Sequence, residues 1–503
     1  MTSVRPFPGR SQTAGAKPQT AAEGNLGTFS GMCLVMGLMI GSGIFSTPGK
    51  VVALVGSPTT AISLWVAGGL LTFCGTFSYI ELGTMMPRSG GEQAYLEAAF
   101  RRPRALVAFL FCWVMILCIR PGSEAADCII FAKYVVVPFL GDADHDGFRE
   151  KCLAVVAITS ITLVNMAATR LAVVVHDVLT CIKIAVVTLI ALTGVLVAAG
   201  AIAITDTPAN FSTGFHGSAS NVSNYASATF LVMWAYDGWN NLSYSAGELG
   251  DPVRQLPRAT ALGVLFATCL YVLANFAYFM VVPLADLVAS SELLAGTFFN
   301  VVFGGVMGAH VFPMLLALSA YGAVSAMVFS AGRVAQAAAL AGVLPYSAYF
   351  RHLHAATGTP VRALALNWLL TVALIVSPPS RNAFDFLVDL VSYPEWVFYG
   401  LSVVGLIVLR YTGGDVHRPF KVPTVLPVLF IAAALFLVVF PFFPTTNPAY
   451  PSWLPPVISL AIIATAVPVW FAFVKDNEMA DLGFALEPSK AIADDNSSSI
   501  MMA

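Results

Sequence analysis

Two stretches of the chain decide its fold: residues 40–45 read Ile-Gly-Ser-Gly-Ile-Phe, and residues 234–241 read Trp-Ala-Tyr-Asp-Gly-Trp-Asn-Asn. Each lies in the middle of a long apolar segment that is otherwise suited to a helix. Glycine costs a helix about 1 kcal/mol relative to alanine. An Asp at the centre of a membrane helix costs roughly 2.5–3.5 kcal/mol on insertion scales. Both segments are therefore predicted to be helices that break halfway.

The composition around these stretches is that of a membrane protein. Of the 503 residues, 58% are hydrophobic and 10% are charged, whereas soluble domains carry about 25% charged residues. The net charge of -2 does not indicate a nucleic-acid partner. Because the sequence has no H-E-x-x-H, G-x-S-x-G or C-x-x-C motif, we expect no enzyme activity, no cofactor and no metal site.

Apolar segments of membrane-spanning length predict an all-α integral membrane protein with twelve transmembrane helices. The third, eighth and tenth are long enough to be tilted or broken, and the fourth and ninth are short. Lys and Arg collect in the loops on one side, so we expect both termini to be cytoplasmic. The segments cover residues 29–55, 59–86, 105–138, 152–168, 174–200, 224–248, 258–283, 309–341, 361–378, 383–410, 422–443 and 453–474.

The polar ends of the chain lie outside these segments. Residues 1–25 and 476–503 are predicted to be disordered cytoplasmic tails. The lipid-embedded domain is expected to cover residues 26–475.

The two interrupted segments are the first and the sixth of the twelve. A separation of five predicts two five-helix inverted repeats, and broken helices at matching positions indicate a binding site at the midplane of the membrane. Close packing through small residues could explain either stretch alone, but both together favour a site. A half-helix that starts at mid-membrane offers N–H groups to a carboxylate, and the half-helix before it offers carbonyls to an ammonium group. This arrangement suits an amino acid.

Further charged residues lie within the apolar segments. Arg120, Glu124 and Asp127 are spaced to share one face of the third helix, and the sequence leaves open whether Arg120 and Glu124 form an ion pair. Asp237 and Glu395 have no partner nearby in the sequence, which favours a functional role. Asp237 could pair with a cationic substrate, share a proton with Glu395, or cap the second half of its helix.

Several motifs make the chain resemble the amino acid–polyamine–organocation superfamily and, within it, the L-type amino acid transporters. The resemblance covers about residues 26–474. It rests on the stretches at 40–45 and 234–240 and on four others: Glu-Leu-Gly-Thr at 81–84 with Pro-Arg-Ser-Gly-Gly at 87–91, Arg-Pro at 120–121, Asp-Pro at 251–252 with Leu-Pro-Arg-Ala at 256–259, and Arg-Pro-Phe-Lys-Val-Pro at 418–423.

This resemblance implies a LeuT-like 5+5 fold and a specific set of site residues. The α-carboxylate and α-amine of the substrate would be held by residues of the first break: Ile40, Gly41, Ser42, Gly43 and Ile44. Carbonyls around Trp234 and Ala235 would contribute from the sixth helix, where Trp234 would be an aromatic gate. Asp237 would lie near the substrate side chain, and Trp396 would line the pocket. Lys183 would take the place of a sodium ion. Apart from the resemblance, Asp237 and Glu395 are possible proton carriers, because two carboxylates close together are not both easily ionised.

The function implied is sodium-independent transport of L-amino acids by alternating access, as a permease, an antiporter or a symporter in the plasma membrane. An amino acid sensor that keeps the fold without net transport is the alternative. Related animal subunits bond a glycoprotein heavy chain through a cysteine in the loop after the third helix. Residues 141–147 contain none, and Cys152 falls in the following helix. A stand-alone, fungal-type member without a disulfide-linked heavy chain is therefore expected.

Overall fold

The computed structural model describes residues 27–87, 90–103, 105–140, 147–167, 169–202, 204, 208–340, 344–354, 357–378, 382–412, 417–445 and 449–475. These residues are almost entirely helical, and no β-strand occurs among them. The predicted tails at 1–25 and 476–503 lie outside the described residues, as does most of the loop at 141–147.

The helices of the described residues form the twelve predicted spans. They are span 1 (Thr28–Met39, Gly43–Ser46 and Pro48–Val55), span 2 (Pro58–Met85), span 3 (Leu106–Val114, Met115–Ile119 and Arg120–Leu140), span 4 (Phe148–Ala167), span 5 (Thr169–Ala198), span 6 (Val222–Tyr236 and Asn241–Glu248), span 7 (Pro252–Val281), span 8 (Met307–Val311 and Phe312–Leu340), span 9 (Val361–Val376), span 10 (Ala383–Thr412), span 11 (Val425–Val439 and Phe440–Phe442) and span 12 (Leu454–Phe473).

Ten of the spans are by themselves long and apolar enough to cross a bilayer. The other two are span 6, which is divided by its break, and span 9, which has 16 residues. Short helices connect the spans at Glu92–Ala99, Leu284–Ala289, Ser291–Leu293, Leu294–Phe303 and Ser347–Phe350. The apolar connector from Ser291 to Phe303 was not predicted from the sequence.

The three long spans are irregular, as predicted. Spans 3 and 8 each contain a π-helical turn, at Met115–Ile119 and Met307–Val311. Span 10 contains Pro394, which has no N–H to donate to the carbonyl of Leu390. The Ser459 hydroxyl of span 12 donates to that carbonyl at 2.7 Å, so the proline is accommodated without an unsatisfied buried group.

The two five-span halves pack reciprocally. Span 1 packs on span 7, and its counterpart span 6 packs on span 2. Counterparts also meet directly, since span 2 packs on span 7 and span 3 on span 8. The outer surface is apolar, with Leu70, Val156 and Leu435 all more than half exposed. This is the LeuT-like 5+5 arrangement with its apolar surface turned toward lipid.

Ionic networks hold both ends of the bundle. We call the end of the bundle where span 1 begins the proximal end. There, the Arg410 guanidinium pairs with the buried Glu81 carboxylate. The backbone N–H of Val422 donates to the same carboxylate at 2.7 Å.

At the opposite, distal end, Glu292 lies between two ammonium groups. Lys50 of span 1 is 2.8 Å from its carboxylate, and Lys133 of span 3 is 3.0 Å away. Lys50 also pairs with Asp385 at the start of span 10. Burial by itself would raise the pKa of Glu292, but the two ammonium groups outweigh burial and hold the pKa below its ordinary range. Spans 1, 3 and 10 are thereby joined at this end.

Candidate functional site

The break in span 1 interrupts the hydrogen bonding of the helix backbone. The first half-helix ends at Met39, Ile40 leaves helical geometry at φ -74°, ψ 81°, and the helix resumes at Gly43. The N–H groups of Phe45 and Ser46 donate to the carbonyl of Ser42 at 3.0 Å. The N–H groups of Gly43 and Ile44 come before the residues that make these first bonds. Like the N–H groups of any first helical turn, they have no acceptor within their own helix. Such groups attract a carboxylate.

The break in span 6 lies at Asp237 and Gly238. Asp237 has ψ 152°, and Gly238 has φ +99°, in the left-handed region that favours glycine. A Cβ atom on Gly238 would also lie 3.0 Å from the backbone of Leu38 in span 1. The N–H of Asp237 donates to the carbonyl of Trp234 at 3.2 Å. Both predicted breaks are confirmed at the predicted positions.

The two breaks touch each other. A Cβ atom on Gly43 would lie only 2.5 Å from the Cα atom of Ala235, so the two backbones are in direct contact. The Tyr271 hydroxyl of span 7 lies between them. It donates to the carbonyl of Met39 at 2.6 Å and to that of Ala235 at 2.8 Å. One hydroxyl therefore connects the ends of both first half-helices.

Lys183 lies beside the first half of span 1. Its side chain is completely buried, and its ammonium group donates to the carbonyl of Gly37. The lysine predicted to replace a sodium ion therefore contacts the helix just before the break. Its role in ion coupling stays a prediction.

Asp127 contacts the same break, and the sequence did not predict this contact. Its carboxylate is buried and accepts a hydrogen bond from the Ser42 hydroxyl. A Cβ atom on Gly41 would lie 3.9 Å from the other carboxylate oxygen of Asp127. The signal in the sequence that could have indicated this contact is the spacing of Asp127 from Arg120, which places both residues on one face of span 3.

Asp237, Glu395 and Arg120 form a second charged group at the break of span 6. The Tyr399 hydroxyl donates to Asp237 at 3.0 Å. Arg120 interacts electrostatically with both acids, and its guanidinium contacts Asn241 of span 6 at 3.4 Å. Glu395, the other predicted proton carrier, lies one helical turn before Tyr399 on span 10, and sharing of a proton with Asp237 stays a prediction.

Arg120 and Glu124 form no ion pair among the described residues, which answers the question that the sequence left open. Glu124 instead faces span 9, where the Asn367 amide donates to its carboxylate at 2.6 Å and the Thr371 hydroxyl at 2.9 Å. The two side chains therefore serve different neighbours, although their spacing places them on one face of the helix.

The two tryptophans have aromatic partners on different sides. Trp234 meets Phe384 edge-on, with ring centroids 6.3 Å apart. Trp396 stacks on Phe430 of span 11 at 5.4 Å and meets Tyr399 at 6.2 Å. Trp234 of span 6 thus contacts the start of span 10, whereas Trp396 stacks on a ring of span 11. Both pocket roles stay predictions.

Comparison with known proteins identifies the family. Residues 26–468 match the family model described as amino acid permease. The chain is 35% identical to the human b(0,+)-type amino acid transporter 1 over 84% of this chain and 83% of that protein. It is 32% identical to the mouse large neutral amino acids transporter small subunit 2, over 90% of this chain and 81% of that protein.

A third relative, the human cystine/glutamate transporter, is 31% identical over 88% of this chain and 84% of that protein. The family model covers both breaks and nearly all twelve spans. The chain therefore belongs to the amino acid permease family, and its relatives are L-type amino acid transporters.

Proposed function

We propose that this protein transports L-amino acids across a membrane by alternating access. The contact between the two breaks is the observation that carries the proposal. The N–H groups of Gly43 and Ile44 receive the α-carboxylate, and the carbonyls at the ends of the first half-helices receive the α-amine. Ala235, whose carbonyl also accepts the Tyr271 hydroxyl at 2.8 Å, supplies one of those carbonyls. The names of the relatives, which are all amino acid transporters, support this substrate class.

Uptake of a panel of labelled amino acids into proteoliposomes tests this function. Accumulation of at least one amino acid above empty liposomes is expected. Binding of an amino acid without any uptake or exchange would instead favour the sensor, which is the alternative function. No binding and no uptake across the panel would contradict both.

We further propose that the proximal end of the bundle is cytoplasmic and that the protein acts in the plasma membrane. The distribution of Lys and Arg in the loops supports this orientation. The protein is proposed to work without a disulfide-linked heavy chain, because residues 141–147 contain no cysteine and Cys152 lies within span 4. Non-reducing electrophoresis of the protein from its native membrane tests the latter proposal.

Transport is expected to be independent of sodium and to require Lys183. Its buried ammonium group holds the carbonyl of Gly37, next to the break, as a bound cation would. Replacing external sodium with choline should therefore leave uptake unchanged, whereas Lys183→Ala should abolish it. Lys151→Ala is the matched control, because Lys151 also donates to backbone carbonyls, those of Val376 and Pro378, but away from the breaks. Loss of uptake in choline, or normal uptake by Lys183→Ala, would contradict this role.

Asp237→Asn is expected to reduce lysine uptake about tenfold or more while sparing leucine, because a desolvated charge pair with the substrate is lost. Asp389→Asn is the matched control, since Asp389 also accepts a tyrosine hydroxyl, that of Tyr450 at 2.7 Å. Uptake at two external pH values separates the alternatives. Loss of pH dependence would indicate a proton shared with Glu395. Unchanged selectivity and pH response would leave Asp237 as a helix cap.

A further inference from the structure

A buried hydrogen bond joins the short helix Glu92–Ala99, which connects spans 2 and 3, to span 6 just after its break. The Asn240 amide donates to the Glu92 carboxylate. Glu92 is completely buried and Asn240 is only 3% exposed. The bond lies between the break and the proximal end of the bundle, so it closes that side of span 6 to water.

The turn before the connecting helix packs closely on the same part of span 6. Gly91 has φ +52°, in the left-handed region that favours glycine. A Cβ atom on Gly91 would lie 2.8 Å from the ring of Tyr244. The segment to which Tyr244 belongs, Asn241–Glu248, is a 3-10 helix, whose hydrogen bonds have poorer geometry than those of an α-helix. Its position therefore depends on neighbours such as the connecting helix.

The connecting helix is itself held by other spans. A Cβ atom on Gly405 of span 10 would lie 2.9 Å from the Cβ atom of Ala99. Tyr79 of span 2 meets Tyr95 edge-on, with ring centroids 5.6 Å apart. The helix is thus packed against spans 2 and 10, and the Glu92 bond attaches the proximal half of span 6 to it.

The Glu92 carboxyl group is an unusual choice for a purely structural contact. Burial raises its pKa, and no cation offsets this effect among the described residues. Burying an acid without a cation is costly, and an apolar residue would fill the same space without that cost. The hydrogen bond to Asn240 is what such a residue could not supply.

We propose that Glu92 is a positioning residue that keeps the proximal half of span 6 closed, and that its bond to Asn240 opens when a substrate leaves toward the proximal end. In alternating access, one part of the bundle moves against another around the site. This inference rests on the proposed function, because only a transporter needs such an exit. It adds a residue outside the substrate site to the transport cycle.

A cysteine in place of Ser243 would report the opening, because Ser243 belongs to the closed segment and is 4% exposed. In detergent-solubilised protein, Glu92→Ala should increase the rate at which a polar maleimide labels Ser243→Cys about tenfold, as expected for loss of a hydrogen bond to a charged group. Each rate is compared with that of the same protein without the new cysteine, which corrects for the native thiols. Glu92→Gln keeps an acceptor for Asn240 and should leave the rate unchanged.

Two controls separate opening of the proximal side from general loosening. Ser223→Cys lies at the distal start of span 6, where Ser223 is also 4% exposed, and its labelling should not be accelerated by Glu92→Ala. Glu124→Ala removes another completely buried carboxylate that accepts an asparagine amide, that of Asn367 at 2.6 Å. Because this amide belongs to span 9, the variant should leave the labelling of Ser243→Cys unchanged.

The partner of the bond provides an independent test. Asn240→Ala should accelerate labelling of Ser243→Cys as Glu92→Ala does, and the double variant should be no faster than either single variant, because both remove one interaction. If Glu92→Ala fails to insert, Asn240→Ala makes the same decision.

The possible outcomes separate this inference from the proposed function. An unchanged rate at Ser243→Cys in both variants would overturn the role of Glu92, as would an equal acceleration at Ser223→Cys. Acceleration by Glu92→Gln as large as that by Glu92→Ala would overturn the role of the hydrogen bond. The labelling needs no substrate, so absence of uptake for every amino acid would overturn the transport function without altering this result.

Discussion

Gly43→Ala is expected to reduce amino acid uptake by about 100-fold, because misplacing a site by about 1 Å can have an effect of that size. The added Cβ atom would lie 2.5 Å from the Cα atom and 3.0 Å from the backbone nitrogen of Ala235. Neither is the end of a flexible side chain, so the backbones of spans 1 and 6 must separate. That separation moves the N–H groups of span 1 away from the carbonyls of span 6.

Gly41→Ala provides the matched control for this prediction. A Cβ atom on Gly41 would have its nearest neighbours at 3.9 Å, on Ala323 and Asp127, which is ordinary van der Waals contact. We therefore expect its uptake to stay far above that of Gly43→Ala at equal protein level in the membrane. Measuring uptake per inserted molecule excludes an effect of expression. Equal uptake by the two variants would show that contact between the breaks is not needed for transport.

Arg410→Ala is expected to have the largest effect on stability. Removing one partner of a buried ion pair costs roughly 3–5 kcal/mol, since the other charge is left uncompensated. Here Glu81 is completely buried and Arg410 also donates to the carbonyl of Val422 at 2.7 Å. The detergent-solubilised variant should lose its monodisperse state at a clearly lower temperature than the wild type.

Two further variants make this prediction specific. Arg254→Ala breaks an exposed pair with Asp251, in which the atoms are 3.7 Å apart, and exposed pairs contribute about 1 kcal/mol or less. It should be nearly as stable as the wild type. The double variant Glu81→Met/Arg410→Met should recover part of the loss, because a buried pair replaced by apolar groups leaves no unpaired charge. Normal thermal stability of Arg410→Ala would contradict the structural role of this pair.

The breaks in the helices could be predicted because they depend on local chemistry. Gly41, Gly43, Asp237 and Gly238 all lower helix stability at the centre of an apolar segment, and the break appears within a residue or two of each group. The number of spans could be predicted for a similar reason, since membrane thickness fixes the length of an apolar helix. The connector at Leu294–Phe303 was missed because its apolar run is too short to span a bilayer.

The neighbours of each side chain could not be predicted, because they depend on distant parts of the chain. The Ser42 hydroxyl that binds Asp127 is 85 positions away in the sequence. Spacing placed Arg120 and Glu124 on one face of span 3, but that face borders spans 6 and 9, and each charge turns to a different one. Likewise, the sequence placed Trp396 on span 10 without indicating that its ring stacks on Phe430 of span 11.

The hydroxyl of Tyr271 has a mechanical consequence for the transport cycle. It has a single proton, and the carbonyls of Met39 and Ala235 compete for it. Span 7 is an unbroken helix of 30 residues, so this hydroxyl keeps both half-helix ends next to the same helix. Sliding of one end past the other would lengthen one of these contacts, at a net cost of about 1 kcal/mol. We therefore expect the first halves of spans 1 and 6 to move together during transport, with the bending at the backbone of the two breaks.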